Sequence, residues 1–245
     1  MNKELIKKRF SRKLSSYNEN ARIQKQMAEK LINMLEDTDK PEILEIGCGT
    51  GLLTELAVKN LSYKTYTALD IVADCENFIK KISPDINFIS DDIEKYIEQN
   101  DKQFDLIISN ASLQWIENLP EFTEKLMKKL KSDGVLLFTT FGVENFREIY
   151  GVLGKKLSYL TVKELEEKLK NYNPKIEEEI RIMAFKTPKD VLKHIQNTGV
   201  NALSSETWTK RDLSDFEKEY NIFCANRPVL TYHPLYIKIK NRLVG

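Results

Sequence analysis

The stretch Ile43-Leu44-Glu45-Ile46-Gly47-Cys48-Gly49-Thr50-Gly51-Leu52-Leu53-Thr54 constrains this chain more than any other. An apolar run too short for a helix of its own meets three alternating glycines, and an apolar helical pattern (Leu52, Leu53, Leu56, Ala57) follows at once. The spacing predicts a strand, a tight turn and a helix. Glycine has no Cβ and takes positive φ, so backbone in such a turn passes close to a ligand, usually a nucleotide. Three glycines in five residues carry an entropic cost that a turn binding nothing has no use for. The dinucleotide fingerprint Gly-x-Gly-x-x-Gly needs glycine at position 52, but Leu52 stands there and the third glycine comes one residue early. That departure weighs against NAD and FAD.

With 245 residues, a formal net charge of +1 and 41% hydrophobic residues, the chain suits one large α/β domain with a full core around a central sheet. Near-neutral charge makes no bulk case for a nucleic-acid partner, and the hydrophobic content none for disorder. Cys48, Cys75 and Cys224 lie far apart, and with only His194 and His233 beside them no zinc spacing can be assembled, so no metal is expected. The scattered cysteines fit a reducing, cytoplasmic setting. The first residues are charged and lack the apolar stretch of a secretory leader, and no later run approaches a membrane span, so no membrane association is expected.

The local charge is less even. Residues 3–13 hold Lys3, Lys7, Lys8, Arg9, Arg12 and Lys13 against Glu4 alone, with Phe10, Leu14 and Tyr17 interleaved. Ile23, Met27, Leu31 and Leu35, four apart, predict a helix from Asn18 that ends before Pro41. Past the glycines, Lys64–Asp70 reads as a second strand. Asp70 lies 19 residues beyond Gly51, near the spacing at which an acidic strand end binds ribose hydroxyls. Ile86–Ser90 gives a third strand, with Asp91 and Asp92 at its end as ligand or helix cap. Phe104–Asn110 gives a fourth, and a turn over Lys131–Gly134 leads to a fifth over Val135–Phe141. Strands separated by helices imply a parallel, doubly wound sheet. Later come a helix around Leu160–Leu169, a strand around Ile176–Phe185, and a helix after Pro188 that stops at Gly199. A further helix carries Leu213, Phe216, Tyr220 and Phe223 on one stripe, and a last strand opens at Leu230. Pro234 argues for an edge or a bulge there. The expected division is a basic segment and helix over 1–36, a cofactor-binding core over 40–142, a helical lid over 187–228 and a closing strand over 229–245.

Glu45-x-Gly47-x-Gly49-x-Gly51 resembles the first motif of class I S-adenosylmethionine methyltransferases, whose fold is a Rossmann-like sheet. Further pieces resemble one family within them, the malonyl-acyl carrier protein O-methyltransferases of biotin synthesis. They are Phe10 to Tyr17 with Ala21 and Gln24, Asp92-Ile93-Glu94, Ser109-Asn110 with Leu113-Gln114-Trp115, Thr140-Phe141-Gly142 with Asn145-Phe146-Arg147-Glu148, and Leu230-Thr231-Tyr232-His233. Leu113-Gln114-Trp115 and Leu230-Thr231-Tyr232-His233 are the more specific signals. The resemblance implies that Glu45, Gly47, Cys48, Gly49 and Gly51 line the methionyl and ribose side of S-adenosylmethionine, with Cys48 only a small filler. Asp70 would hold both ribose hydroxyls with Ile71 beside it, Asp92 the adenine amino group, Ile93 the adenine face, and the Asn110 backbone, with Ala111, the methionine amine.

In such an enzyme a malonyl carboxylate attacks the cofactor's methyl and needs no general base, since a carboxyl of pKa about 4 is ionised at pH 7. Arg147 is the candidate clamp for that carboxylate, with Tyr17, Tyr232 and His233 as further polar groups. The partner implied is an acidic acyl carrier protein, which the basic residues 7–13 would receive, with the enzyme a monomer. Another small-molecule methyltransferase, a cofactor-binding regulatory protein and a dinucleotide oxidoreductase are the competing readings.

Overall fold

The computed structural model describes residues 3–154, 158–198 and 208–241; the helix stop expected at Gly199 and the end of the last segment lie outside the described residues. Along the chain come α1 (Lys3–Ser11), α2 (Leu14–Asn20), α3 (Arg22–Asn33), β1 (Glu42–Ile46), α4 (Leu52–Asn60), β2 (Thr65–Asp70), α5 (Glu76–Ile82), β3 (Asn87–Ser90), α6 (Ile93–Gln99), β4 (Phe104–Ser109), α7 (Leu119–Met127) and β5 (Leu130–Phe141). The second half adds α8 (Arg147–Leu153), α9 (Val162–Leu169), β6 (Lys175–Glu178), β7 (Arg181–Ala184), α10 (Pro188–Asn197), α11 (Lys210–Phe223), β8 (Val229–Tyr232) and β9 (Pro234–Lys240). No helix among them is long and apolar enough to cross a membrane.

Among the described residues, seven strands form one sheet in the order β3-β2-β1-β4-β5-β9-β6. It is parallel from β3 through β5, while β9 runs antiparallel to both its neighbours. This is the doubly wound, mostly parallel architecture that the alternation of strands and helices predicts. The apolar run of β1 is continuous because both faces of the sheet are covered. Ile43 packs with Met27, Leu31, Leu53 and Ile79 on one side, and Leu44 and Ile46 pack with Ile97, Phe122, Leu126 and Leu165 on the other. Strand order reverses between β1 and β4, which opens a crevice outside their carboxyl ends.

Five local expectations are corrected. The helix expected from Asn18 begins at Leu14 and breaks at Ala21, whose φ of −85° and ψ of 38° leave the helical region. The break turns α2 relative to α3 and brings Tyr17 and Gln24 to one pocket wall. The fifth strand starts at Leu130, ahead of the expected turn, but its register against β4 shifts between Phe104 and Leu106.

The strand expected over 176–185 divides into β6 and β7, and the one from Leu230 divides into β8 and β9. Glu178 pairs with Leu235, the Glu179 N–H reaches the Pro234 carbonyl, and Arg181 pairs with Tyr232. Two long antiparallel strands therefore bend together, leaving β7 and β8 as a separate small sheet. Pro234 sits at the bend as the first residue of β9, where a missing N–H costs least. Phe223 is also displaced from the buried stripe of Phe216 and Tyr220. It is half exposed and lies on Gly151 of α8, where an added Cβ would come within 2.3 Å of its ring.

Candidate active site

Two adjoining hollows open outside the carboxyl ends of β1, β2 and β4, and they share Gly47, Asp70, Ile71, Ser112 and Trp115. One is mainly apolar, walled by Ile46, Leu69, Ile93, Leu113 and Ile116, with Lys3, Asp91 and Asp92 as polar members. The other is more polar and includes Tyr17, Gln24, Glu45, Gly49, Asn110 and Gln114. Together they form one trough from the end of β3 to the start of α3.

The glycine turn forms its floor. Gly47 has φ of +67°, and an added Cβ would lie 2.0 Å from the Ser112 hydroxyl oxygen, so only glycine lets the turn after β1 meet the turn after β4. Asp70 at the end of β2 accepts the Gly49 N–H through Oδ2 and the Val72 N–H through Oδ1, each at 2.9 Å. Burial raises its pKa, and those backbone bonds oppose the rise. Glu45, on buried β1, accepts the hydroxyls of Thr54 at 2.7 Å and Tyr66 at 2.6 Å. Burial still pushes its pKa up to about 7, with the nearby Asp70 acting in the same direction. The Cys48 thiol is buried and held protonated, first by burial and then by the charges of Asp70 and Glu45, so it is packing material and no nucleophile.

On the β4 side, both ends of the Asn110 side chain are committed. Its Nδ2 donates to the Gln24 carbonyl at 2.9 Å, and its Oδ1 accepts the Thr139 hydroxyl at 2.8 Å. Thr139 in turn accepts the Ala111 N–H at 2.8 Å, and Ala111 holds φ of +49°. Only the backbone of this turn is left for a ligand. Beside it, the side-chain oxygens Oε1 of Gln24 and of Gln114 are buried with no hydrogen-bond partner, although the Gln114 Nε2 donates to the Ala111 carbonyl at 2.7 Å. Both residues line the polar hollow. A buried acceptor left unpaired costs about 1 to 3 kcal/mol, so these two oxygens stand ready to accept from a donor in the hollow.

The amino-terminal helices cover the trough. Lys3, Lys7 and Phe10, at i, i+4 and i+7, share one face of α1. Lys3 pairs with Asp92 at 2.6 Å and with Glu94, Lys7 lines the polar hollow, and the Phe10 ring would lie 3.2 Å from a Cβ on Gly49. Phe10 also meets the Tyr17 ring edge-on at 5.1 Å. Burial, with a smaller contribution from Asp70, raises the Tyr17 phenol, so it stays a neutral donor. Asp92 also caps α6 by accepting the Glu94 N–H at 2.9 Å, so one aspartate serves both the cap and the hollow.

The geometry brings Tyr17, Glu45, Gly47, Cys48, Gly49, Asp70, Ile71, Asn110 and Ala111 to the polar hollow and Asp92 and Ile93 to the apolar one. Gly51, with φ of 85°, sits just behind as the N-cap of α4. Arg147, Tyr232 and His233 line neither hollow. Arg147 is half exposed and paired with Glu144 at 3.5 Å and Glu148 at 3.4 Å. Tyr232 is fully buried, with its hydroxyl 2.8 Å from His194 Nε2 and its ring 6.2 Å from that of Phe141.

His233 packs on Gly142, accepts the Glu144 N–H through Nδ1 at 3.2 Å and meets Glu178 at 2.8 Å. Glu148 accepts both the N–H and the hydroxyl of Thr231. The tetrads 145–148 and 230–233 thus brace each other behind the pocket wall, which explains why they occur together. Gln24 and Gln114 stand in the sequence as motif members without a role; a glutamine beside the apolar stripe of α3 was the available signal.

Comparison with known proteins agrees with this geometry. A family described as a methyltransferase domain matches residues 17–179. A malonyl-[acyl-carrier protein] O-methyltransferase of Calditerrivibrio nitroreducens is 38% identical over 252 residues, with 97% of each chain covered. Another from Chlorobium luteolum is 35% identical, covering 99% of this chain and 97% of its own. A methyltransferase candidate from Bacillus halodurans has a similar fold, with a TM-score of 0.62 at 16% identity over 89% of this chain and 99% of that one. The chain belongs to the malonyl-[acyl-carrier protein] O-methyltransferase family.

Proposed function

We propose that this chain transfers the methyl group of S-adenosylmethionine to the free carboxylate of a malonyl thioester carried by acyl carrier protein. The observation that carries the cofactor is the pair of unpartnered buried oxygens on Gln24 and Gln114, in a hollow whose acids are Glu45 and Asp70. Such a wall suits a ligand bearing an ammonium and a sulfonium. The apolar hollow, with Ile93 and Leu113 as its faces, suits a flat purine, and Asp92 offers it an acceptor. Asp70 accepts the Gly49 and Val72 N–H groups on separate oxygens, with the Cys75 thiol also bonded to it, and at the end of β2 its carboxylate is the acceptor offered to ribose hydroxyls. Family membership supports the acceptor.

When bound, the cofactor supplies an electrophilic methyl whose carbon takes a carboxylate oxygen as its bond to sulfur breaks and the electron pair stays on sulfur. The residues of the chain align and desolvate. A malonyl carboxyl of pKa about 4 is already ionised, so the transfer needs no general base, and neither Glu45 nor Asp70 is required to take a proton. Tyr17 stays neutral and donates a hydrogen bond without competing as a nucleophile. Alignment can contribute roughly 7 to 11 kcal/mol at best, and the cover of α1 over the trough keeps water from a weakly nucleophilic carboxylate. The test is incubation with S-adenosylmethionine and malonyl-carrier protein: the carrier should gain the mass of one methyl, while acetyl-carrier protein, which lacks the free carboxylate, should gain none. Methylation of neither would refute the reading.

A further inference from the structure

The substrate of this reaction is an anion, and the hollow that must receive it is lined by two acids, Glu45 and Asp70. Arg147 is committed to Glu144 and Glu148 and lies outside that lining. Among the described residues, Lys7 is the one basic side chain in the wall of the polar hollow, and it makes no hydrogen bond or ion pair. We infer that Lys7 receives the carboxylate of the substrate, so that α1 forms part of the acceptor site as well as the roof. This rests on the function proposed above.

The neighbours of Lys7 in the basic segment have other places. Lys3 is held by Asp92 and Glu94, Lys13 donates to Asn197 at 3.2 Å, and Lys8 and Arg12 are exposed. Position along the trough distinguishes the substrate's carboxylate from the cofactor's own. Lys3 marks the purine end and Phe10 lies against Gly49, so Lys7, between them on the same helix face, stands over the middle of the trough. The unpartnered oxygens of Gln24 and Gln114, which mark the amino-acid end, lie beside the Asn110 turn. The middle is where the reacting methyl is presented. An ammonium there offsets the repulsion of Glu45 and Asp70 and draws the nucleophile to the sulfonium.

The test compares Lys7→Met, which keeps the aliphatic stem, with Lys7→Arg and with the double reversal Lys8→Glu, Arg12→Glu. Each is assayed with malonyl-carrier protein and with malonyl-coenzyme A, and each is titrated with S-adenosylmethionine by calorimetry. Lys7→Met should raise KM for both thioesters roughly tenfold or more, as loss of a charge-assisted contact does. Its affinity for S-adenosylmethionine should stay within about twofold of wild type, and Lys7→Arg should recover most of the loss. The double reversal should weaken only the carrier protein, through its surface charge. Three outcomes would overturn the inference: a Lys7→Met loss confined to the carrier protein, a loss of cofactor affinity, or no change at all. Wild-type turnover reports separately on the functional reading, and the ratio of variant to wild type reports on Lys7.

Discussion

Replacing Glu45 by glutamine should flatten the pH dependence of the ligand-free protein's stability. Glu45 is buried on β1 and accepts two hydroxyls, yet burial lifts its pKa from 4.5 to about 7. Below pH 4.5 the group is protonated folded or unfolded and contributes nothing that changes with pH. Between there and pH 7 the unfolded chain releases this proton while the folded chain keeps it, so stability falls as pH rises. Above pH 7 the folded state must hold a buried carboxylate, and the loss is complete. At about 1.4 kcal/mol per pH unit, the gap between 4.5 and about 7 amounts to about 3 kcal/mol. Glutamine fits the same space and cannot titrate. Urea unfolding of both proteins at pH 5, 6, 7 and 8 should therefore show the variant gaining on wild type by about 2.5 kcal/mol across the series, the rest having been lost below pH 5. Carboxylates away from Glu45 titrate alike in the two chains and cancel, and Asp70, whose charge acts on Glu45, ionises more easily beside the neutral glutamine. A difference in stability that stays constant from pH 5 to 8 would mean that Glu45 is ionised throughout, and would sink the argument from burial.

Three further outcomes are expected. Asp70→Ala should weaken S-adenosylmethionine binding by more than tenfold in calorimetry, because the proposed ribose contacts and the Gly49 tether would go together; unchanged affinity would remove Asp70 from the site. Gln24→Leu and Gln114→Leu should each lower cofactor affinity while leaving the melting temperature of the ligand-free protein equal or higher, since each removes a buried acceptor with no partner; a clear fall in melting temperature would show those oxygens to be structural. His233→Ala should destabilise the fold by about 1 to 3 kcal/mol, through its bonds to Glu144 and Glu178, with kcat per folded molecule within about twofold of wild type. A collapse of kcat in a stable variant would place that ring in the chemistry.

The parts legible in the sequence are those set by local pattern. The apolar runs of β1 and β5, the glycine turn and the carboxylate ending β2 follow from period, φ preference and spacing, and each stands where those rules put it. What stayed hidden depends on partners far along the chain. The split of two strands at Glu179 and His233 arises because both bend together, and neither segment alone carries a break signal beyond Pro234. Phe223 reads as core by helical spacing, but the face it meets is a glycine on α8. Arg147 reads as a clamp by its charge, and the sequence does not show that it stands outside both hollows beside Glu144 and Glu148. Gln24 and Gln114 announce themselves only as atoms without partners, which no sequence displays.

The roof of the trough also sets how its contents exchange. α1 has nine residues, and an isolated helix shorter than about 12 to 15 residues is marginal in water. Its helicity therefore depends on the contacts it makes below, chiefly Lys3 on Asp92 and Glu94 and Phe10 on Gly49. When those contacts release, the segment melts instead of swinging as a rigid flap. Entry and exit are then governed by a local unfolding equilibrium well below the global one, with amide protons of residues 3–11 exchanging faster than those of β1 and slowing when the trough is filled. Those contacts also span some ninety residues, from Lys3 to Asp92 and Glu94. α1 therefore cannot take its place over the trough until β3 and the start of α6 have formed beneath it.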